Sequence, residues 1–281
     1  MNGKTDGIVA GYDGSAGSDD ALRWAAREAW ARGTVLTICL AWPPDDLALF
    51  GDPGAQDHTR QQGEEILARG VRLAGSVPDL AEVRTVQAEG SPARVLVERS
   101  GTAEMVVVGS RGHGRLAGSL LGSVPWQVAC HGQGRVVVVR GRWRPVNQSP
   151  GLVVTGVDGS PESQAALTFA FEEAALRDVA LVAVCALADT PSRLGGAARM
   201  EEEFSRLMTP AEKAHPEVTV LRHVAIGAPR PALLTAAAEA QMLVLGSRGL
   251  GGLEGMSLGS VAAMLLQHSP CPVAVVHPTE S

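Results

Sequence analysis

Short, almost wholly apolar runs alternate along this chain with longer stretches in which Ala and Leu recur every three or four positions among Arg, Glu and Ser. The runs IVAGY (8–12), TVLTICLAW (34–42), VRTVQA (83–88), MVVV (105–108) and RVVVV (135–139) predict strands. Between them, Ser18 to Arg32 reads as a helix with Leu22, Ala25, Ala26 and Ala29 on one face and Ser18 as its N-cap. A longer helix is expected over roughly His58 to Ala74. GSPARVLVERS (90–100) starts a third, with Ser91 as cap and Pro92 at its first position, and a fourth begins at Ser123. The order is βαβαβαβαβ. Strands that are apolar on both faces and joined by long crossovers imply a parallel sheet covered by helices on both sides.

The pattern is then written a second time. GSRGHGRLAGSLLGSV (109–124) returns as GSRGLGGLEGMSLGSV (246–261), without a gap, at an offset of 137 residues and with eleven of the sixteen positions identical. GIVAGYDGSAGSDDALRWAA (7–26) returns as GLVVTGVDGSPESQAALTFA (151–170), with Asp13-Gly14-Ser15 on Asp158-Gly159-Ser160 and Arg32 on Arg177 at an offset of 145. The first half therefore carries about eight extra residues, which we place near the Pro/Gly/Asp-rich stretch 42–54. A period of about 140 residues is that of a whole domain. GRWRPVNQSPG (141–151) has linker character, so two tandem domains are expected at 1–144 and 150–281. Each is predicted as an α/β, doubly wound, five-stranded parallel-sheet domain of strand order 3-2-1-4-5. In that order strands one and four flank the switch point, where such sheets bind ligands. The Asp13 turn follows strand one and the glycine loop follows strand four, so the two converge.

Composition narrows the chemistry. Hydrophobic residues make up 45% of the 281 and aromatics 4%, so the core is aliphatic. A formal net charge of −6 argues against a nucleic-acid surface. The basic residues include only two lysines, Lys4 and Lys213, neither near a glycine loop, so a phosphate grip must use backbone N–H groups, hydroxyls or Arg. Cys39, Cys130, Cys185 and Cys271 lack metal-ligand spacing, and Cys39 and Cys185 lie in apolar runs, as buried free thiols do. MNGKTDGIVAG has no signal-peptide design and no run reaches membrane-spanning length, so we expect a soluble, cytoplasmic protein with neither a membrane nor a nucleic-acid partner.

The glycine loops share the spacing G-x-x-G, nine residues, G-S: Gly109, Gly112, Gly122 and Ser123, then Gly246, Gly249, Gly259 and Ser260. Glycine tolerates positive φ and lets a ligand approach the backbone. Gly-Ser then opens a helix whose N-terminus favours an anion, with the Ser as cap or hydroxyl donor. The arrangement predicts a lysine-free phosphate nest. No GxxxxGK[ST] is present, and no dinucleotide fingerprint follows strand one. Asp13 and Asp158 have an alternative reading as Asx caps of a DGS turn, and Arg111 and Arg248 read equally well as solvated arginines. His113 aligns with Leu250, which argues against a shared catalytic role; His131, His268 and His277 read as scattered structural or surface residues.

With these motifs the chain resembles the universal stress proteins, in a tandem ATP-binding form, over nearly its whole length. The resemblance implies a fold of the adenine nucleotide alpha hydrolase type, ATP as ligand, and Mg2+ as an ion compatible with it. It places Gly11 and Asp13, and Gly156 and Asp158, by the adenosine, the Asp accepting from the ribose. It wraps Gly109, Ser110, Arg111, Gly112, His113, Gly114 and Arg115 around one set of phosphates, and Gly246, Ser247, Arg248, Gly249, Leu250, Gly251 and Gly252 around the other. Ser123 and Val124, and Ser260, Val261 and Ala262, would cap the triphosphate. Ala41-Trp42 and Ala186-Leu187 would meet the adenine edge. Pro125 departs from the pattern and removes one N–H donor, which predicts a weaker or differently tuned first site.

Three functions compete. One is a stress-signalling protein that binds ATP in each half and acts through occupancy on a protein partner. Another is a slow ATPase or self-phosphorylating enzyme, with Ser123 or Ser260 as acceptor, although no Ser-His-Asp or paired-carboxylate set repeats between the halves. The third is an interaction module whose loops hold nothing. Family domains pair through their last strands, so 136–140 and 273–277 are expected to form a pseudo-dimer within one chain. A homodimer of the whole chain is a further expectation, because exposed sheet edges invite pairing.

Overall fold

The structure, a computed structural model, describes residues 6–42, 53–112, 121–141, 151–187, 193–251 and 257–278. Side chains at 53–59, 187 and 193–200 are outside that description. Most of the expected insertion at 42–54, most of the expected linker at 141–151, and His113, Gly114, Arg115 and Gly252 lie outside the described residues.

The chain forms two compact units, Met1–Val139 and Arg140–Ser281. The first runs β1 (Ile8–Gly11), α1 (Ala16–Arg32), β2 (Leu36–Trp42), α2 (Pro53–Ala74), β3 (Val83–Glu89), α3 (Pro92–Ser100), β4 (Met105–Gly109), α4 (Ser123–His131), β5 (Arg135–Val139). The second repeats it as β6 (Leu152–Gly156), α5 (Pro161–Arg177), β7 (Ala180–Leu187), α6 (Arg193–Ala214), β8 (Val220–Ile226), α7 (Pro229–Ala237), β9 (Ala240–Gly246), α8 (Ser260–His268), β10 (Val273–Val276). The strand orders are β3-β2-β1-β4-β5 and β8-β7-β6-β9-β10, the predicted 3-2-1-4-5 arrangement in each unit. Every strand pair inside each unit is parallel, with Ile8 opposite Leu36 on one side and Met105 on the other.

The central strands carry the core. Ile8, Val9, Ala10, Val106, Val107, Val136 and Val137 are fully buried, as are Val153, Val154 and Leu243 to Val244 in the second unit. Leu22, Ala25, Ala26 and Ala29 face this sheet from α1 and are fully buried, and their small side chains let the helix lie close. Each α1-type helix also holds an i, i+4 ion pair, Glu28 with the partly buried Arg32 and Glu173 with the buried Arg177. The four cysteines are buried free thiols. Burial pushes the Cys39 and Cys185 thiols up and Cys271 to about 11, so none of these three is a ready thiolate.

One boundary differs from the sequence reading. Ser15, not Ser18, caps α1, accepting from the Ser18 backbone N–H, and Ser160 caps α5 in the same way. D-G-S-x-x-S offers two serines, and helical periodicity suits either start. The Asp carboxylate decides, because it fixes the earlier serine in the extended backbone that an N-cap needs.

Candidate functional site

The site grows from the turn after the first strand of each unit. Asp13 Oδ1 accepts from the Ser15 N–H at 3.0 Å and from Ser15 Oγ at 2.6 Å. Asp158 Oδ1 does the same with Ser160, at 3.0 and 2.7 Å. Ser15 Oγ then accepts from the Ser18 N–H at 3.2 Å, and Ser160 Oγ from the Ser163 N–H at 3.1 Å. The glycine inside each turn has a required conformation, with φ of 80° at Gly14 and 87° at Gly159. In the first unit α2 supports the turn: Arg69 donates to the Gly14 carbonyl at 2.8 Å and to Asp19, which also accepts from the Tyr12 hydroxyl at 2.8 Å. That burial and that partner push the Tyr12 phenol up to about 12.

The other carboxylate oxygen reaches the glycine loop. Asp158 Oδ2 accepts from the Leu250 N–H at 3.0 Å. Partial desolvation raises the Asp158 pKa, but the bonds from Ser160, Leu250 and Ser163 outweigh it and hold the carboxyl below its ordinary value. A methyl group built on Gly249 would lie 2.4 Å from Asp158 Oδ2, and one on Gly112 2.5 Å from Asp13 Oδ2. Gly109 and Gly246 are just as confined: a Cβ would lie 2.4 Å from the Gly17 carbonyl oxygen and 2.7 Å from the Glu162 carbonyl carbon. The motif glycines are therefore not there for positive φ, as the sequence reading supposed. Gly109, Gly112, Gly122, Gly246, Gly249 and Gly259 all lie outside that region. Gly109, Gly112, Gly246 and Gly249 are glycines because the capped helix and its Asp press against them; a Cβ on Gly122 or Gly259 would meet nothing closer than 3.3 Å.

The far end of each loop is pinned by backbone bonds. Ser110 donates to the Val139 carbonyl and accepts from the Gly122 N–H, both at 2.9 Å. Ser247 does the same with Val276 at 2.9 Å and Gly259 at 2.7 Å. Gly122 and Gly259 are the N-caps of α4 and α8, with no side-chain acceptor on the first-turn N–H groups. Ser123 and Ser260 are thus the first helical residues and not the caps that the sequence suggested, since the glycines before them adopt the extended cap conformation. Helix α4 offers the N–H groups of Ser123 and Val124, Pro125 having none; α8 offers those of Ser260, Val261 and Ala262.

Around these groups each unit has a crevice. The first, about 290 Å³, is lined by Gly11, Asp13, Gly109, Arg111, Gly112, Gly122, Ser123 and Val124, with Ala41 from the end of β2. The second, about 500 Å³, is lined by Gly156, Asp158, Gly246, Arg248, Gly249, Gly251, Gly259, Ser260, Val261 and Ala262, with Ala186 from β7. Four predicted residues stand off the walls. Ser110 and Ser247 anchor the loops through their backbones, Leu250 is exposed with its N–H on Asp158, and Trp42 ends β2; the Leu187 side chain lies outside the described residues. Residues that sequence reasoning missed complete the walls: Pro92 and Leu96 of α3, Pro229 and Leu233 of α7, and Tyr12, Ser18 and Cys39 in the first unit. The same 137-residue offset relates Pro92 to Pro229 and Leu96 to Leu233, so the repeat carried a signal for them. It also relates His131 to His268, which are not scattered but close α4 and α8 at equivalent positions.

The arginines differ. Arg248 places Nε and Nη2 each 2.9 Å from Glu162 Oε1, whereas Arg111 has no ion pair or hydrogen bond among the described residues. Among the described residues no three His, Cys, Asp or Glu side chains gather as a metal would require, and no helix is long and apolar enough to cross a membrane.

A model described as the universal stress protein family matches residues 5–140 and again 152–277. A universal stress protein of Mycolicibacterium smegmatis is 36% identical over 290 residues, covering 97% of each chain. One from Mycobacterium tuberculosis is 35% identical over 290 residues, with the same coverage. Among solved structures, a universal stress protein from Archaeoglobus fulgidus superposes with a TM-score of 0.74 at 21% identity, covering 98% of this chain and 97% of that one. A putative universal stress protein from Pseudomonas aeruginosa gives 0.69 at 18%, covering 98% and 94%. At those identities the two structures speak to the fold alone.

Proposed function

Since the chain belongs to the universal stress protein family, we propose that it is an ATP-binding regulatory protein of the stress response, with one nucleotide site in each unit. The carrying observation is a twofold convergence. In each unit the strand-one Asp, the glycine loop and a helix N-terminus with no side-chain cap face one crevice. On this reading Gly11 and Asp13, or Gly156 and Asp158, flank the adenosine, and the Ala41 or Ala186 strand end meets the adenine. One Asp oxygen holds the turn and the other faces the loop, so the carboxylate would meet the ribose already fixed in place. The phosphates run along Gly109–Gly112 or Gly246–Gly251 to the first turn of α4 or α8. Mg2+ would be carried by the phosphates themselves. Occupancy joins the loop to the helix and so supplies a signal to a protein partner.

The test is the nucleotide content of the purified, then denatured, full-length chain, separated against standards. About two adenine nucleotides per chain is the expected result. Finding none, with no thermal stabilisation on adding ATP, overturns the proposal. ADP in place of ATP would turn it toward hydrolysis.

A further inference from the structure

The two crevices, alike in backbone, differ in one charged contact. Arg111 and Arg248 occupy equivalent loop positions and each lines its crevice. In the second unit Glu162, in the first turn of α5 and 9% exposed, holds Arg248 through two contacts of 2.9 Å. The arginine side chain is 49% exposed and lies on the open side of the pair. The residue equivalent to Glu162 in the first unit is Gly17, where a Cβ would lie 2.2 Å from the Arg111 carbonyl oxygen. No side chain fits there, so the first unit is barred from building the same contact.

We propose that Glu162 is a specificity-determining latch: it occupies the Arg248 guanidinium and damps the second crevice's preference for a longer phosphate chain, while Arg111 leaves the first crevice fully responsive to phosphate number. This rests on the nucleotide reading above. A guanidinium already paired with a carboxylate gives a phosphate only what the exchange of partners releases. On that reading Arg248 stands on the phosphate side of the crevice, away from the end that takes the adenosine, so the latch acts on phosphates and leaves the nucleoside alone. The crevices then differ twice, the first keeping a cation but lacking one N–H donor, the second keeping three donors but holding its cation in reserve.

The test is calorimetric titration of the full-length chain with ATP and, separately, with adenosine, for wild type, Glu162→Gln, Arg248→Gln and the double variant. Gln keeps the size of the Glu side chain in the first turn of α5, and adenosine binding reports that the crevice is intact. E162Q is expected to tighten ATP about fivefold at one of the two sites, the order of a partly exposed ion pair, and to leave adenosine unchanged. In the R248Q background the same change is expected to do nothing. An E162Q effect that is absent, equal for adenosine and ATP, or preserved without Arg248 overturns the latch; the last would mean direct repulsion between Glu162 and phosphate. If wild type binds neither ligand, the nucleotide reading fails and the latch with it. If both bind and the ATP-to-adenosine ratio ignores E162Q, only the latch fails.

Discussion

Gly112 and Gly249 show how little freedom the second glycine of the loop has. The carboxylate that a Cβ would strike is itself held by the serine that caps the next helix, so it cannot move aside without uncapping that helix. Gly112→Ala and Gly249→Ala should therefore each destabilise their unit by about 1–3 kcal/mol, as overpacking does, and weaken the crevice beside them. Denaturant unfolding checks the first effect and nucleotide titration the second; an unchanged midpoint would mean that the Asp swings away freely. Asp158 gives a pH signature. Its folded pKa lies below the ordinary, unfolded value of about 3.9, so its contribution to stability is complete above that pH and is lost as pH falls through the folded value. Asp158→Asn cannot titrate, and its amide cannot accept from the Leu250 N–H with the nitrogen facing it. The variant should be less stable than wild type at neutral pH and should converge with it in acid. Urea midpoints of the two proteins between about pH 3 and 7 test this. Parallel curves would remove Asp158 from the acid response.

At the scale of elements, the two units offer an internal control. Helix α1 ends on Gly33 at φ 62°, and α5 ends on Asp178 at φ 52°, the same left-handed cap built once with and once without a Cβ. Asp178→Gly should relieve that crowding and raise the stability of the second unit by about 1 kcal/mol, readable as a higher denaturant midpoint. A lower midpoint would mean that the entropy of the unfolded glycine dominates. Strands and helices were legible in the sequence because buried parallel strands are apolar throughout and the α1 face repeats at helical spacing. Helix starts were less so, since Ser15 and Ser18 are both good caps and only the Asp13 carboxylate separates them. The reason for the loop glycines was not legible at all. Glycine is written alike whether it serves positive φ or close approach, and the helix backbone that crowds Gly109 comes from residue 17. The pairing of Glu162 with Arg248 spans 86 positions and leaves no local trace.

Over the whole molecule the repeat told most, because a duplicated site shows which features travel together, and the departures show what each copy lost. Pro125 is the clearest departure. Helix α4 presents two backbone N–H groups where α8 presents three, and proline is tolerated there because the third would have no intrahelical partner in any case. A ligand that binds only the folded chain stabilises it by about 2.7 kcal/mol at a hundred times its Kd, so unequal sites should give unequal protection as ATP is raised. Pro125→Ala returns the missing donor. It should tighten ATP at the first site by roughly tenfold to a hundredfold, the order of one charge-assisted hydrogen bond, while adenosine is unaffected. Ala262→Pro should do the reverse at the second. Were P125A to bind ATP no better than wild type, the phosphate chain would not reach α4, and the glycine loop alone would have to hold it. The duplicated Gly-Ser at the helix start would then belong to the fold, as the N-cap that pins the loop to Ser110 and Ser247, and not to the ligand.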